Sequence, residues 1–381
     1  MAEIVYIYPI SIASKMISSF TLLAKYHLKY LRQVSKVYEL DRDKVSWLYW
    51  ATKKNVLIHP ICDTFIGGDE RRTVINKIRL EQVFKYKNRI GGFDIADSSE
   101  ISKVAVKVLN RFDLVMVPSS YAEYVFRNSG VTTPIGVVPH GINPALYEPD
   151  THPDELLPSI KPLWDVKQKT DSLFVLFFAI QNLYRKSAEI VANVMHELQF
   201  RTGRHSSKQG KRTVLLVKAG FNPSPDLRIF EKLKRIVVTG FMSDAELKQL
   251  YDISNVVVVP SKGGGFELNA LEAIARGVPT LVTGEPAWRD YPTTPFHDYL
   301  QFTVPLTVSE MVRVYDNHPV HTGKGWAVSE REFYRTLVNV LDNPDDYKKQ
   351  FAEHRKKVLE IYHWDRIGER LISLLREYDF I

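Results

Sequence analysis

From Pro260 to Thr280 the chain reads Pro-Ser-Lys-Gly-Gly-Gly-Phe-Glu-Leu-Asn-Ala-Leu-Glu-Ala-Ile-Ala-Arg-Gly-Val-Pro-Thr. The glycines are Gly263, Gly264 and Gly265, and the acids are Glu267 and Glu272. Glycine allows positive φ and lets backbone come close to a ligand. A glycine loop that opens a helix presents free N–H groups and the positive end of the helix dipole, which favour an anion. Glu272 lies inside that helix, near the bound anion, where a carboxylate can accept hydrogen bonds from neutral hydroxyls such as those of a ribose. The chemistry implied is recognition of a phosphorylated sugar or nucleotide. Arg185-Lys186 adds two cations after a second apolar segment.

Those residues need strands and helices to hold them. Val256–Val259 is all apolar and reads as a buried parallel strand ending at Pro260. Leu268 to Arg276 reads as a helix stopped by Gly277, with a further strand over Val278–Val282. Leu173–Ile180 is a strongly apolar strand, and the turn Gln181-Asn182-Leu183-Tyr184 puts Arg185-Lys186 at its C-terminal edge, where open α/β sheets bind ligands. Ala188–Phe200 and Ala245–Tyr251 read as helices, Thr213–Val217 and Ile236–Thr239 as strands. An earlier series has strands at Ile4–Tyr8, Val56–His59, Leu114–Pro118 and Ile135–Val138, with helices over Lys15–Val37 and Ile101–Leu109. Residues 149–170, rich in Pro, Asp and Lys, read as a linker, and Asp365–Tyr378 as a last helix. Alternating strands and helices imply an α/β protein with two Rossmann-like doubly wound domains facing across a cleft.

The stretch from Pro260 resembles the donor-site signature of glycosyltransferase family 4. The matching positions are Pro260, Ser261, Gly265, Phe266, Leu268, Leu271, Glu272, Ala273, Ala275, Gly277 and Pro279. The likeness continues through Val238–Leu247, Asp113–Ser120, Val137–Asn143 and His363-Trp364-Asp365, so it covers residues 110–380. It implies the GT-B fold, with an acceptor-side domain over 1–160, a nucleotide-sugar-binding domain over 161–360, and a C-terminal helix, 361–381, returning to the first. It also implies sugar transfer from a nucleoside-diphosphate sugar with retention of configuration and without a metal. Charge then builds on the leaving diphosphate, and fixed cations stabilise it. By the resemblance Arg185 and Lys186 take that role, Glu272 holds the ribose, and Gly264, Gly265, Phe266 and Leu268 line the donor.

Two departures stand out. The first of the family's two glutamates falls on Gly264, and Glu267 is the nearest carboxylate. Glu267 either faces the sugar as a catalytic group in place of the missing acid or caps the start of the helix. The family's Arg-Lys-Gly reads Arg-Lys-Ser here, ending at Ser187. Asp94, Asp97 and His140 are cleft candidates on the acceptor side. Capping by Asp97, Ser98 or Ser99 is the simpler reading of that loop, and a hinge or cap is the simpler role for His140. His59 ends an apolar strand, where a lone histidine is more often structural. A nucleotide-sugar epimerase and a catalytically degenerate binding or scaffold subunit share the fold; Gly264 favours the latter.

Bulk properties set limits. The 381 residues suffice for two domains, and 45% hydrophobic with 25% charged content is that of a folded soluble protein. No apolar run approaches a membrane span. The first residues lack the basic region of a secretory signal, and Cys62 is the single cysteine. These point to the cytoplasm. No zinc spacing, His-Glu-x-x-His or Walker lysine loop occurs, and Asp41-Arg42-Asp43 reads as chance, so neither metal nor cofactor is expected. The net charge is +7, and residues 1–93 hold 16 Lys/Arg against 8 Asp/Glu. Lys25, Lys29, Arg32 and Lys36 share one predicted helix face. That face suits an anionic membrane and a lipid-linked acceptor, or else is an ordinary solvated exterior. A nucleic-acid partner is not expected.

Overall fold

The computed structural model describes residues 2–10, 19–44, 54–66, 70–85, 88–180, 182–201, 211–220, 225–284 and 299–381. In the first half, β1 (Ala2–Tyr8), α1 (Ser19–Val34), β2 (Ser35–Asp41), β3 (Asn55–Ile58), α2 (Ile61–Phe65), α3 (Glu70–Val83), β4 (Ile90–Phe93), α4 (Lys103–Leu109), β5 (Leu114–Val117), α5 (Ser120–Ser129) and β6 (Ile135–Val137) follow in order. The strands form a parallel sheet in the order β2-β1-β3-β4-β5-β6.

After α6 (Lys161–Lys169) a second unit begins. It contains β7 (Ser172–Ala179), α7 (Ala188–His196), β8 (Arg212–Ala219), β9 (Arg235–Val238), α8 (Asp244–Asp252), β10 (Val256–Val259), α9 (Leu268–Ala275), β11 (Thr280–Thr283) and β12 (Val304–Leu306). Its parallel order is β9-β8-β7-β10-β11-β12. The order reverses between β7 and β10, so the loops after these two strands flank the switch-point crevice where such sheets bind ligands. Every residue of β7 and β10 is buried, as expected of strands covered on both faces. A hairpin, β13 (Val308–Arg313) and β14 (Lys324–Val328), precedes α10 (Glu330–Asp342), α11 (Pro344–Ile361) and α12 (Trp364–Glu377). α12 crosses back, and Trp364, Ile367 and Leu371 share a core with Ile4, Tyr6 and Leu28. Among the described residues, no helix is long and apolar enough to cross a membrane.

Several expectations need correction. The first helix ends at Val34, and Ser35–Asp41 pairs with β1 as an edge strand. Lys36 therefore sits on β2 and not on the helix face with Lys25, Lys29 and Arg32. The expected start of that helix at Lys15 lies outside the described residues. Residues 161–169, inside the expected linker, form α6; it buries no residue fully, which is why its pattern looked irregular. Gly91-Gly92 lies mid-strand in β4, a strand absent from the expected series, and a Cβ on Gly92 would overlap the Ile58 carbonyl.

Candidate active site

Two loops meet at the crevice. The turn after β7 is tied by Asn182, whose Oδ1 accepts from the Arg185 N–H at 2.9 Å. The loop after β10 is joined to it by the Lys262 N–H donating to the Arg185 carbonyl at 2.7 Å. Arg185 and Lys186 are 7% and 9% exposed, so both cations are held inside the protein. Arg185 Nη1 donates to the Gly263 carbonyl at 2.9 Å. Lys186 Nζ lies 2.6 Å from Glu267 Oε2, and Arg185 Nη1 lies 3.8 Å from Glu267 Oε1. Burial pushes the Glu267 carboxyl up, but Lys186 and Arg185 outweigh it and hold it below its ordinary value. Glu267 occupies the N-cap position of α9 but makes no side-chain cap bond. The capping alternative is thus replaced by an ion pair.

Ser187 follows at φ 56°, ψ 40°, a left-handed conformation, and its buried hydroxyl has no partner among the described residues. This conformation costs an L-residue about 1–2 kcal/mol, and glycine would relieve it. Ser187→Gly is expected to raise stability by about 1 kcal/mol, measured by denaturant unfolding. A loss of stability would show that the hydroxyl carries a bond.

Glu272 is 4% exposed within α9, and its Oε2 accepts from the Tyr251 hydroxyl at 2.9 Å. Burial raises its pKa to about 7. Phe266 stands edge-on to His140 and Tyr299, with ring centroids 4.7 and 5.3 Å away. The Tyr299 hydroxyl bonds both the carbonyl and the N–H of Glu267 at 2.9 and 3.0 Å, which fixes the loop at the helix start. Leu268 opens the helix half-buried. Two adjoining clefts, with about 330 and 320 Å³ of atom-free space partly open to solvent, are lined by Gly264, Glu267 and Val282 in common. Tyr121 and Trp326 wall the first, and Ser119, Phe266 and Tyr299 wall the second.

The glycines face a different neighbour from the one expected. A Cβ on Gly263 would overlap the Asp97 carbonyl, and one on Gly265 would overlap Ile95. The Gly265 N–H donates to Asp97 Oδ1 at 3.3 Å, and its carbonyl accepts from Ser119 Oγ at 2.6 Å. The backbone of Gly265, expected to serve a ligand, is thus committed to the first sheet's loops. The two halves meet in direct contact here.

The acceptor-side candidates separate. Asp94 is 6% exposed, and its carboxylate accepts from the N–H groups of Cys62 and Ile95 at 2.7 and 2.9 Å, so it ties down the start of α2. Burial lifts its pKa to about 6. Asp97 is not a helix cap; Ser102 caps α4. Its Oδ2 accepts from the Tyr315 hydroxyl at 2.6 Å. Burial opposes its ionisation, yet Arg185 above all holds the carboxyl well below the usual range. Among the described residues His140 caps no helix and its Nδ1 has no hydrogen-bond partner, and burial pushes its pKa down to about 3. His59 is buried against the Tyr6 hydroxyl. Tyr315, Tyr251, Tyr299 and Ser119 were not foreseen. The nearest signal was the glycine pair Gly323 and Gly325 before Trp326, in a hairpin without the strand–helix rhythm. Among the described residues, no group of three or more His, Cys, Asp or Glu could hold a metal ion.

The sequence profile of family 4 glycosyltransferases in conflict systems matches residues 173–371, just over half of the chain. An uncharacterised protein of Sulfolobus islandicus rod-shaped virus 1 is 27% identical over 366 residues, 94% of this chain and 95% of that one. An uncharacterised glycosyltransferase of Methanocaldococcus jannaschii is 29% identical over 304 residues, 76% of this chain and 66% of that one. Among solved structures, Anabaena HepE in complex with UDP and glucose superposes with a TM-score of 0.67 at 13% identity, covering 99% of this chain and 100% of that one. The two parallel sheets and their facing loops are therefore those of the GT-B fold. The chain belongs to the family 4 glycosyltransferases of the conflict-system group.

Proposed function

We propose that this glycosyltransferase takes its sugar from a nucleoside-diphosphate donor and transfers it with retention of configuration. The observation that carries this is the set of buried Arg185 and Lys186 with the partly buried Glu267 and Asp97 at the switch point of the second sheet. Two fixed cations beside a helix N-terminus suit a diphosphate whose charge grows as the sugar leaves. Glu267 keeps the Lys186 ammonium in place, Asp97 faces the sugar hydroxyls, and Glu272 receives the ribose. HepE, of like fold, holds UDP and glucose, which supports a uridine nucleotide as the first donor to try.

The test is turnover of UDP- and GDP-sugars by purified protein, alongside a thermal-shift screen. A ligand at 100 times its Kd stabilises by about 2.7 kcal/mol. Because Arg185 and Lys186 supply the positive charge, turnover is expected to survive EDTA. Loss with chelator and recovery with Mg²⁺ or Mn²⁺ would contradict that part. Gly264 favours a second reading, a binding subunit without catalysis; it predicts nucleotide binding with no turnover.

The acceptor side is proposed to touch anionic lipid. Arg32 is paired with Glu39, and Lys36 lies 3.6 Å from Glu3, so the attraction falls to the exposed Lys25 and Lys29. Each contributes about 1 kcal/mol near such a surface. The protein is expected to sediment with anionic vesicles at low salt and to be released at high salt. A Lys25→Gln/Lys29→Gln variant is expected to stay in solution. No binding by wild type at low salt would make the acceptor a soluble one.

A further inference from the structure

The β13–β14 hairpin belongs to neither large sheet. Its tip, residues 314–323, leaves the second half of the molecule and runs along residues 97–102 of the first. The Ser102 N–H donates to the Val320 carbonyl and the Ser99 N–H to the Lys324 carbonyl, both at 2.8 Å. The Gly323 N–H donates to the Glu100 carbonyl at 3.1 Å, and Ser102 Oγ to the Pro319 carbonyl at 2.7 Å. The base of the hairpin is fastened to the other loop, the Trp326 N–H donating to the Lys262 carbonyl at 2.7 Å. A Cβ on Gly323 would overlap the Glu100 amide nitrogen, and one on Gly325 the Lys262 carbonyl oxygen. The hairpin backbone thus lies directly against both loops that face each other across the cleft.

Asp97 sits where these contacts converge. Its Oδ2 accepts from Tyr315, its Oδ1 from the Gly265 N–H, and its own N–H donates to His321 Nδ1 at 3.4 Å. Tyr315, His318 and His321 stack with centroids 4.6 to 5.8 Å apart, which steadies the tip. Burial, with Asp97 beside it, pushes the Tyr315 phenol up, so it stays protonated and donates.

We propose that the hairpin clamps the two halves of the molecule together and that Tyr315, through the Asp97 carboxylate, and His321, through the Asp97 main-chain N–H, are positioning residues for sugar transfer, holding Asp97 beside Arg185. This rests on the reading of the site given under Proposed function. A carboxylate on a loop swings about its side-chain bonds unless both oxygens are engaged, and a misplacement of about 1 Å at a reacting centre can cost about 10²-fold in rate. The clamp supplies one of those engagements from the opposite half, so Asp97 reaches its place only when the halves are joined.

A double-mutant cycle tests this. Tyr315→Phe removes one O–H and keeps the ring. In that variant kcat is expected to fall about 10-fold, while donor KM and calorimetric nucleotide affinity stay within about twofold of wild type. In an Asp97→Asn background the same change is expected to cost nothing further, because its effect passes through Asp97. His321→Asn, which retains an acceptor, is expected to keep more activity than His321→Ala. Losses that multiply in the double mutant, or a fully active Tyr315→Phe, overturn the proposal while leaving the donor site standing. A wild type that turns over no nucleotide sugar removes the site reading itself, and the proposal with it.

Discussion

Arg185→Ala and Lys186→Ala are each expected to lower kcat by about 10²-fold or more, the cost of removing one pre-placed charge from a leaving group. The two differ in what else they disturb. Arg185 also donates to the Gly263 carbonyl, so its loss loosens the glycine loop. Lys186 lies 2.6 Å from Glu267, both side chains being nearly buried at 11% and 13% exposure. Removing one member of such a pair strands the other and costs about 3–5 kcal/mol. Lys186→Ala should therefore unfold at lower denaturant as well as turn over slowly. Adding Glu267→Gln to it should restore most of the stability and none of the rate, which separates the structural from the chemical loss. Lys186→Ala with kcat within about twofold of wild type would reduce the pair to a buried structural contact. Arg185→Lys should also fail, since an ammonium lacks the planar fork of donors.

The parts of the site that could be read in advance are those built from local sequence. A run of four valines, three glycines and a helix with an acid inside it specify a strand, a loop and a helix start within some 20 residues. Arg185 and Lys186 could be placed because the strand before them is apolar from Leu173 onward, so its end is sharp. Asp97 could not be interpreted that way. Its hydroxyl donor, Tyr315, is 218 residues away in sequence, in a two-stranded element with no helical period to announce it. Asp94 could not be told apart from Asp97 for a related reason. Two acids three residues apart in one loop look alike in sequence, yet one faces the start of α2 and the other the cations. The glycines were located correctly but explained incompletely. Sequence shows that a close approach is needed, and only packing shows that the opposing loop at residues 95–97 makes it. In the fold, α6 and β4 escaped because one buries no residue fully and the other carries two glycines, so neither bears the usual pattern.

Glu272→Gln is expected to make the protein more stable above neutral pH and worse at binding nucleotide. Burial raises the Glu272 pKa from 4.5 to about 7. An acid whose folded pKa lies above its unfolded one is favoured in its protonated form by folding. Its contribution to stability is fully present below about pH 4.5 and is lost as pH rises through about 7. A difference of that size corresponds to roughly 3 kcal/mol between the two limits. Glutamine carries no charge to desolvate, and its amide oxygen can still accept from the Tyr251 hydroxyl now 2.9 Å from Glu272 Oε2. The variant should match wild type near pH 4 and exceed it by up to about 3 kcal/mol at pH 8. Comparing the two proteins at each pH cancels other groups that titrate in the window, such as Asp94 with its pKa of about 6. Binding should move the other way. A hydrogen bond from a ribose hydroxyl to a carboxylate is worth about 1.5–3 kcal/mol, so calorimetry with UDP or GDP should show affinity reduced by about 10-fold or more at pH 8. Stability curves that stay parallel across pH would mean that Glu272 does not titrate in this range. Unchanged nucleotide affinity would remove it from the donor site. Gain of stability together with loss of binding is the outcome expected of a carboxylate buried against its own solvation preference and kept for the ligand it serves.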